Sequence, residues 1–262
     1  MKITRKNSVN LSSGWKVAVA SDKNIYGKKI TGFTEAEAIS DFSINATVPG
    51  NFELDLEREG IIKSIYFGDH ILETQKFEES HVFYQCIFEW DTDIYNNEIC
   101  FEGIDTIADI YLNRTFLGHV ENMFIEHAFT ALGMKNGINE LFIHIYPVEI
   151  EARKYKKGAF NFGQRYNGNS CIIRKAAHTW GWDIAPRIVS AGIWRPVTIR
   201  PCKKYEIKDA YLYVQHISEN RKQINAGFHF EAELQREPTS SFSLNYSRRQ
   251  VSNEIHLSQF DN

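Results

Sequence analysis

A chain of 262 residues, 43% apolar and 24% charged, carries enough apolar surface for one large all-β domain or two smaller ones. Its formal net charge is −3. Acids and bases are interleaved, which excludes the clustered positive field that nucleic acid or an anionic membrane requires, and no apolar run reaches the roughly eighteen residues of a membrane-spanning helix. The opening "KITRKNSVNLSSGW" lacks the apolar stretch of a signal peptide. Location is left open between the cytoplasm and export after a signal has been removed. Cys86, Cys100, Cys171 and Cys202 form no C-x-x-C pair and the histidines lack zinc spacing, so buried free thiols are expected and no metal or cofactor.

In chain order, "PGNFELDLEREG" predicts a short helix that stops at Gly60, with Phe52 and Leu56 four apart on one side. "HVFYQCIFEW" alternates, with Val82, Tyr84, Cys86 and Phe88 sharing a face. "IADIYLN" places Ala108, Ile110 and Leu112 on one face against Asp109, Tyr111 and Asn113 on the other, and "ELFIHIYPV" turns Leu141, Ile143 and Ile145 inward. These period-two runs predict half-buried strands of sheets with one wet face. "DTDIYNN", "LNRTFLG" and "MKNGIN" supply turns between them. "VEIEARKYKKG" predicts a second short helix ending at Gly158, its basic run a solvated face.

From "AFNFGQRYNGNS" the chain loses periodicity but keeps Phe and Tyr, the mark of a functional loop rather than of disorder. "HTWGWDIAPRIVSAGIWRPV" then holds three of the five tryptophans and two of the six prolines. Trp180 and Trp194 read as packing residues, the latter in a strand leading out of the domain. Past Pro201, Lys203 and Lys204 read as a linker. "AYLYVQHI" and "GFHFEAEL" restart the alternation, with Ala210, Leu212 and Val214, then Phe228, Phe230, Ala232 and Leu234. A sandwich beginning near residue 205 would be too short for an immunoglobulin-like domain of about 100 residues, so the chain is expected to be a piece of something longer.

"VPGNFELDL", "FEGIDTIADIYLN", "ENMF" and "GWDIAPRIVSAGIWRPV" occur in an order and spacing that resembles the N-terminal region of glycoside hydrolase family 2, closest to its β-mannosidase branch, over about residues 10 to 203. The resemblance implies an all-β chain: a jelly-roll, galactose-binding-like β-sandwich over 1–203, then the start of an immunoglobulin-like β-sandwich over 204–262. The (β/α)8 barrel that carries the two catalytic glutamates would lie outside this chain. Retaining glycosidases need two carboxylates about 5 Å apart. The Asn-Glu pairs at 97–98, 139–140 and 253–254 read instead as turn chemistry at strand ends, so no catalytic residue is assigned.

By the same resemblance Trp182 and Asp183 are the substrate-binding residues, an indole for a sugar face and a carboxylate for its hydroxyls. Gly181 would free the backbone and Pro186 stiffen its return. Asp183 could equally cap the loop or pair with Arg187, Trp182 could pack, and Arg174, Lys175 and His178 could hold the loop's shape as readily as meet sugar. Ile184 and Ala185 stand where the branch has Trp and Gly, which keeps β-galactosidase, β-glucuronidase and glucosaminidase specificities open. The implied partners are a terminal β-mannoside or related β-glycoside and the chain's own catalytic barrel, with no nucleic acid and no membrane. A free-standing carbohydrate-binding module and a purely structural domain are the competing readings.

Overall fold

The computed structural model describes residues 8–25, 27–91, 97–155, 168–181, 185–202, 205–217, 224–234, 242–248 and 251–257. They form two compact units divided between Cys202 and Lys203, and each is treated by itself.

In the first unit the strands are β1 (Val9–Asn10), β2 (Trp15–Ser21), β3 (Phe42–Asn45), β4 (Ser80–Trp90), β5 (Asn97–Phe101), β6 (Ala108–Leu112), β7 (Thr115–Val120), β8 (His127–Thr130), β9 (Gly137–Ile145) and β10 (Val197–Pro201). They make an antiparallel six-stranded sheet in the order β3-β2-β4-β9-β6-β7 and a four-stranded one in the order β1-β10-β5-β8. The expected inner faces are observed. Val82, Tyr84 and Cys86 of β4, Ala108, Ile110 and Leu112 of β6, and Leu141, Ile143 and Ile145 of β9 pack with Ile99, Phe101, Val197 and Ile199 of the smaller sheet. Burying one such side chain stabilises by roughly 1.5–3 kcal/mol, so this interlayer core dominates the stability of the unit.

The wet face, however, is not wet. Helices α1 (Asp22–Ile25) and α2 (Phe33–Glu37), neither expected from the sequence, lie over the other side of the large sheet. Ile25, Ile30, Phe33 and Ala36 cover Ala18, Ala20, Phe83, Phe142 and Tyr111, which is only 3% exposed. The small side chains of Ala18 and Ala20 let this layer approach the strand. "VAVA" is thus buried on both faces, as an unbroken apolar run allows.

Helix α3 (Phe52–Arg58) forms as predicted and turns its Phe52 and Leu56 into the core. It ends as Gly60 takes φ +71, a conformation that favours glycine. Asp55 ties it back, accepting from the Thr47 amide at 3.0 Å and from Arg58 at 2.7 Å. A 3₁₀ segment, His70–Phe77, follows and had no counterpart in the sequence reading. Helix α4 (Val148–Ala152) stops well before Gly158. Its apolar spacing runs out at Ala152, and Arg153 and Lys154 turn to solvent to meet Glu79 and Glu151. Cys86 and Cys100 are buried, but Cys171 is exposed and Cys202 half-buried, so the expectation of buried thiols holds for two of the four. Among the described residues no helix is long and apolar enough to cross a membrane.

The second unit contains two antiparallel pairs, β11 (Tyr205–Ile217) with β12 (Ile224–Leu234), and β13 (Phe242–Arg248) with β14 (Val251–Leu257). The register sets Ala210 opposite Phe230 and Leu212 opposite Phe228.

Candidate functional site

Within the Trp-rich stretch, the segments on either side of residues 182–184 meet in a narrow neck. Trp180 and Arg187 face each other in an antiparallel bridge, and the Ile188 amide donates to the Thr179 carbonyl at 2.9 Å. Gly181 takes φ +77, its amide bonded to the His178 carbonyl at 2.9 Å. A Cβ there would be strained by that φ and would also press on Arg187.

Trp180 is 1% exposed and packs with Ile107, Val148, Ala152, Ile173 and Val189, as its reading as a packing residue expects. Glu149 of α4 closes the neck. Its carboxylate accepts from the Trp180 indole N–H, from Arg187 at 3.0 Å and from the Asn169 amide at 2.7 Å. Arg187 also grips Glu78 in bidentate fashion, at 2.8 and 2.6 Å, the strongest geometry for such a pair. The planar fork of Arg187 is thereby engaged by two glutamates. Trp182, Asp183 and Ile184, the assigned pair among them, lie outside the described residues.

Behind the neck sits a buried charged floor. Lys175, completely buried, donates to Asp105 and to the Ser190 carbonyl at 2.8 Å. Asp105 also accepts from the Thr106 hydroxyl and from Ser190 Oγ at 3.3 Å. Lys175 therefore holds shape, while Arg174 and His178 are exposed. Glu53 of α3 is buried near these charges, and one of its oxygens has no hydrogen-bond partner among the described residues. Burial pushes its carboxyl up to about 8; the positive charge of Lys175 opposes that shift and the negative charge of Asp105 adds to it. Glu53 and Asp105 are both buried; they lack the open, two-sided access that a retaining carboxylate pair needs.

Two of the Asn-Glu pairs are engaged elsewhere, and Asn253 and Glu254 lie within β14, paired with Tyr246 and Asn245 of β13 rather than at a strand end. Asn139, buried, bonds Lys135 and Gly137 within its turn. Glu140 accepts from Gln85 at 2.8 Å, and Glu98 pairs with Arg200.

Above the floor opens a cleft of about 550 Å³, bounded by Gly50 and Asn51, Met123 and Phe124, His178 and Thr179, and Ser190 to Trp194. Backbone bonding builds it. Residues 191–193 run between Gly50–Phe52 and Asp105, with the Gly50 amide on Ile193 O at 2.9 Å, the Phe52 amide on Ala191 O at 3.1 Å and the Asp105 amide on Gly192 O at 2.8 Å. Gly192 is required there, because a Cβ would collide with the Gly50 carbonyl and Asn51. Trp194 departs from its expected place in an exit strand. It precedes β10, is half-buried at the cleft, donates its indole N–H to Met123 O at 3.2 Å and carries the Arg195 guanidinium 4.2 Å over its ring. The cleft and the hub role of Glu149 were not foreseen from the sequence. Their partners are far apart along the chain, and the one local hint was the unusual density of Gly, Pro and Trp.

The fold is that of a known class. A solved β-D-mannosidase from Dictyoglomus thermophilum matches with a TM-score of 0.73 at 24% identity, over 96% of this chain and 29% of that one. The exo-chitosanase of Amycolatopsis orientalis matches with a TM-score of 0.59 at 11% identity, over 98% and 28%. The first unit is a galactose-binding-like jelly-roll β-sandwich. Residues 15–195 match the family described as glycosyl hydrolase 2 galactose-binding domain-like, and the chain belongs to that family. Among its relatives, β-mannosidase B of Thermothelomyces thermophilus is 29% identical over 179 residues, 64% of this chain and 20% of that protein. β-Mannosidase B of Emericella nidulans is 27% identical over 221 residues, 80% and 26%. The chain thus spans about a fifth to a quarter of the length of these relatives.

Proposed function

We propose that this chain is the non-catalytic N-terminal part of an exo-acting, retaining family 2 glycosidase of β-mannosidase type. In that role it docks on a catalytic barrel and supplies one wall of the subsite for the terminal sugar. The second unit is the start of an immunoglobulin-like sandwich. Trp182 stacks on the pyranose and Asp183 accepts hydrogen bonds from its hydroxyls. The barrel supplies both catalytic glutamates, and hydrolysis runs through a covalent glycosyl-enzyme intermediate.

The observation that carries this reading is the neck. Trp180, Arg187, Glu149 and Glu78 hold the base of the 181–186 loop from both sides, as a subsite wall built to keep its geometry requires. Membership of the family and the β-mannosidase relatives point the same way. The test is made on the full-length protein with p-nitrophenyl β-mannoside. Asp183→Ala should lower kcat/KM by at least about tenfold, the worth of one charge-assisted hydrogen bond, with an unchanged thermal midpoint. Unaltered kinetics would leave the loop a structural role.

A further inference from the structure

The loop accounts for one sugar ring, yet the cleft beside its neck has the makings of a second site. Its volume of about 550 Å³ falls within the roughly 300–1,000 Å³ of small-molecule clefts. The ring of Phe124 is 54% exposed at its rim. That ring stands on a turn with little freedom to move. The Phe124 amide donates to Asn122 Oδ1 at 3.0 Å, the Met123 amide to Arg174 O at 3.1 Å, and the indole of Trp194 to Met123 O. An aromatic face held in advance lowers the ordering cost of a partner that stacks on it.

Two polar side chains reach the same cleft unengaged. Asn51 stands at the N-cap of α3 without a capping bond. His178 is exposed immediately before the neck, and its side chain bonds no other described residue. An amide and an imidazole each donate and accept, which suits vicinal hydroxyls. Asp105, the one carboxylate among the described lining residues, is paired with Lys175. Among the described lining residues there is no lysine or arginine to meet a uronate or a phosphate.

We propose that this cleft, beside the neck of the loop, binds a second, uncharged pyranose of a β-linked oligosaccharide, with Phe124 as stacking platform and Asn51 and His178 as hydroxyl partners. The proposal rests on the subsite-wall reading given above, and a comparison of substrate lengths separates the two. Full-length protein is assayed on p-nitrophenyl β-mannoside and on β-1,4-mannotriose.

Phe124→Ala and His178→Ala should each raise KM for the trisaccharide about tenfold more than KM for the aryl mannoside, and Phe124→Tyr, which keeps the ring face, should restore it. Asp183→Ala should impair both substrates. Equal effects of the cleft variants on both substrates, alongside an impaired Asp183→Ala, would overturn the cleft and leave the loop standing. A selective loss in the cleft variants with a normal Asp183→Ala would support the cleft and overturn the loop. Wild-type protein that hydrolyses neither substrate would overturn both.

Discussion

On the outer side of the six-stranded sheet, polar groups are buried as neutral rings. His81 Nδ1 and His144 Nε2 share a hydrogen bond of 2.7 Å, His81 reaches Asp22 at 3.1 Å, and His144 stacks on Tyr146 with centroids 4.1 Å apart. Burial holds both imidazoles below their ordinary range, His144 far below, where the neighbouring His81 adds to the effect. Around the loop neck charges are used instead: the buried Lys175 on Asp105, and the half-buried Arg187 on Glu78 and Glu149. Removing an ion from water costs several kcal/mol, which a paired partner only offsets. Neutral rings suffice where a layer must merely be covered. Where a loop must leave at a fixed angle, forked ion pairs define direction as well as contact.

The comparison breaks most readily at the charged floor. Lys175→Met would leave Asp105 buried without its cation and should cost about 3–5 kcal/mol in urea unfolding. The double variant Lys175→Met, Asp105→Leu should recover much of that. A loss under about 1 kcal/mol for the single variant would show that the pair is not a structural hinge of this region. Next comes the neck. Glu149→Ala strips an acceptor from Trp180, Arg187 and Asn169 and should cost about 2–3 kcal/mol, with faster amide exchange at Gly181 and Ile188. Glu149→Gln, which keeps the oxygen acceptor for Trp180, should lose less. Exchange rates equal to wild type in both would remove the clamp from the account.

The contrast can also be sharpened through pH, where each variant changes a slope rather than a midpoint. For the imidazoles, the unfolded chain takes up protons first as pH falls below the ordinary 6.5, so their contribution is present above that value and lost below it. His144→Phe should flatten this acid-side loss. Glu53 has the opposite sign. The folded chain keeps its proton between the ordinary 4.5 and about 8, so stability falls as pH rises through that window, by at most about 1.4 kcal/mol per pH unit. Glu53→Gln should flatten the profile between those two values. An unchanged profile in either variant would show that the residue is not the group titrating there.

Strand alternation in "HVFYQCIFEW", "IADIYLN" and "ELFIHIYPV", the α3 helix and the turn chemistry of Asn139 were all legible locally, because period, caps and turns are written within a few residues of one another. The covering of the large sheet by α1 and α2 was not. Its trace was "VAVA" together with Phe83, Tyr111 and Phe142 on a face assigned to water. Lys175 and Asp105 meet across seventy positions, Glu149 and Trp180 across thirty-one. No local pattern announces which distant acid a buried lysine or indole will meet.

By itself the sequence determined the β-rich architecture and the family, since both rest on periodicity and on motifs that lie in register along the chain. Which charges would be buried together, where the loop would be pinned and where a cleft would open were decided only by the tertiary structure, because close packing alone brings those remote segments within bonding distance.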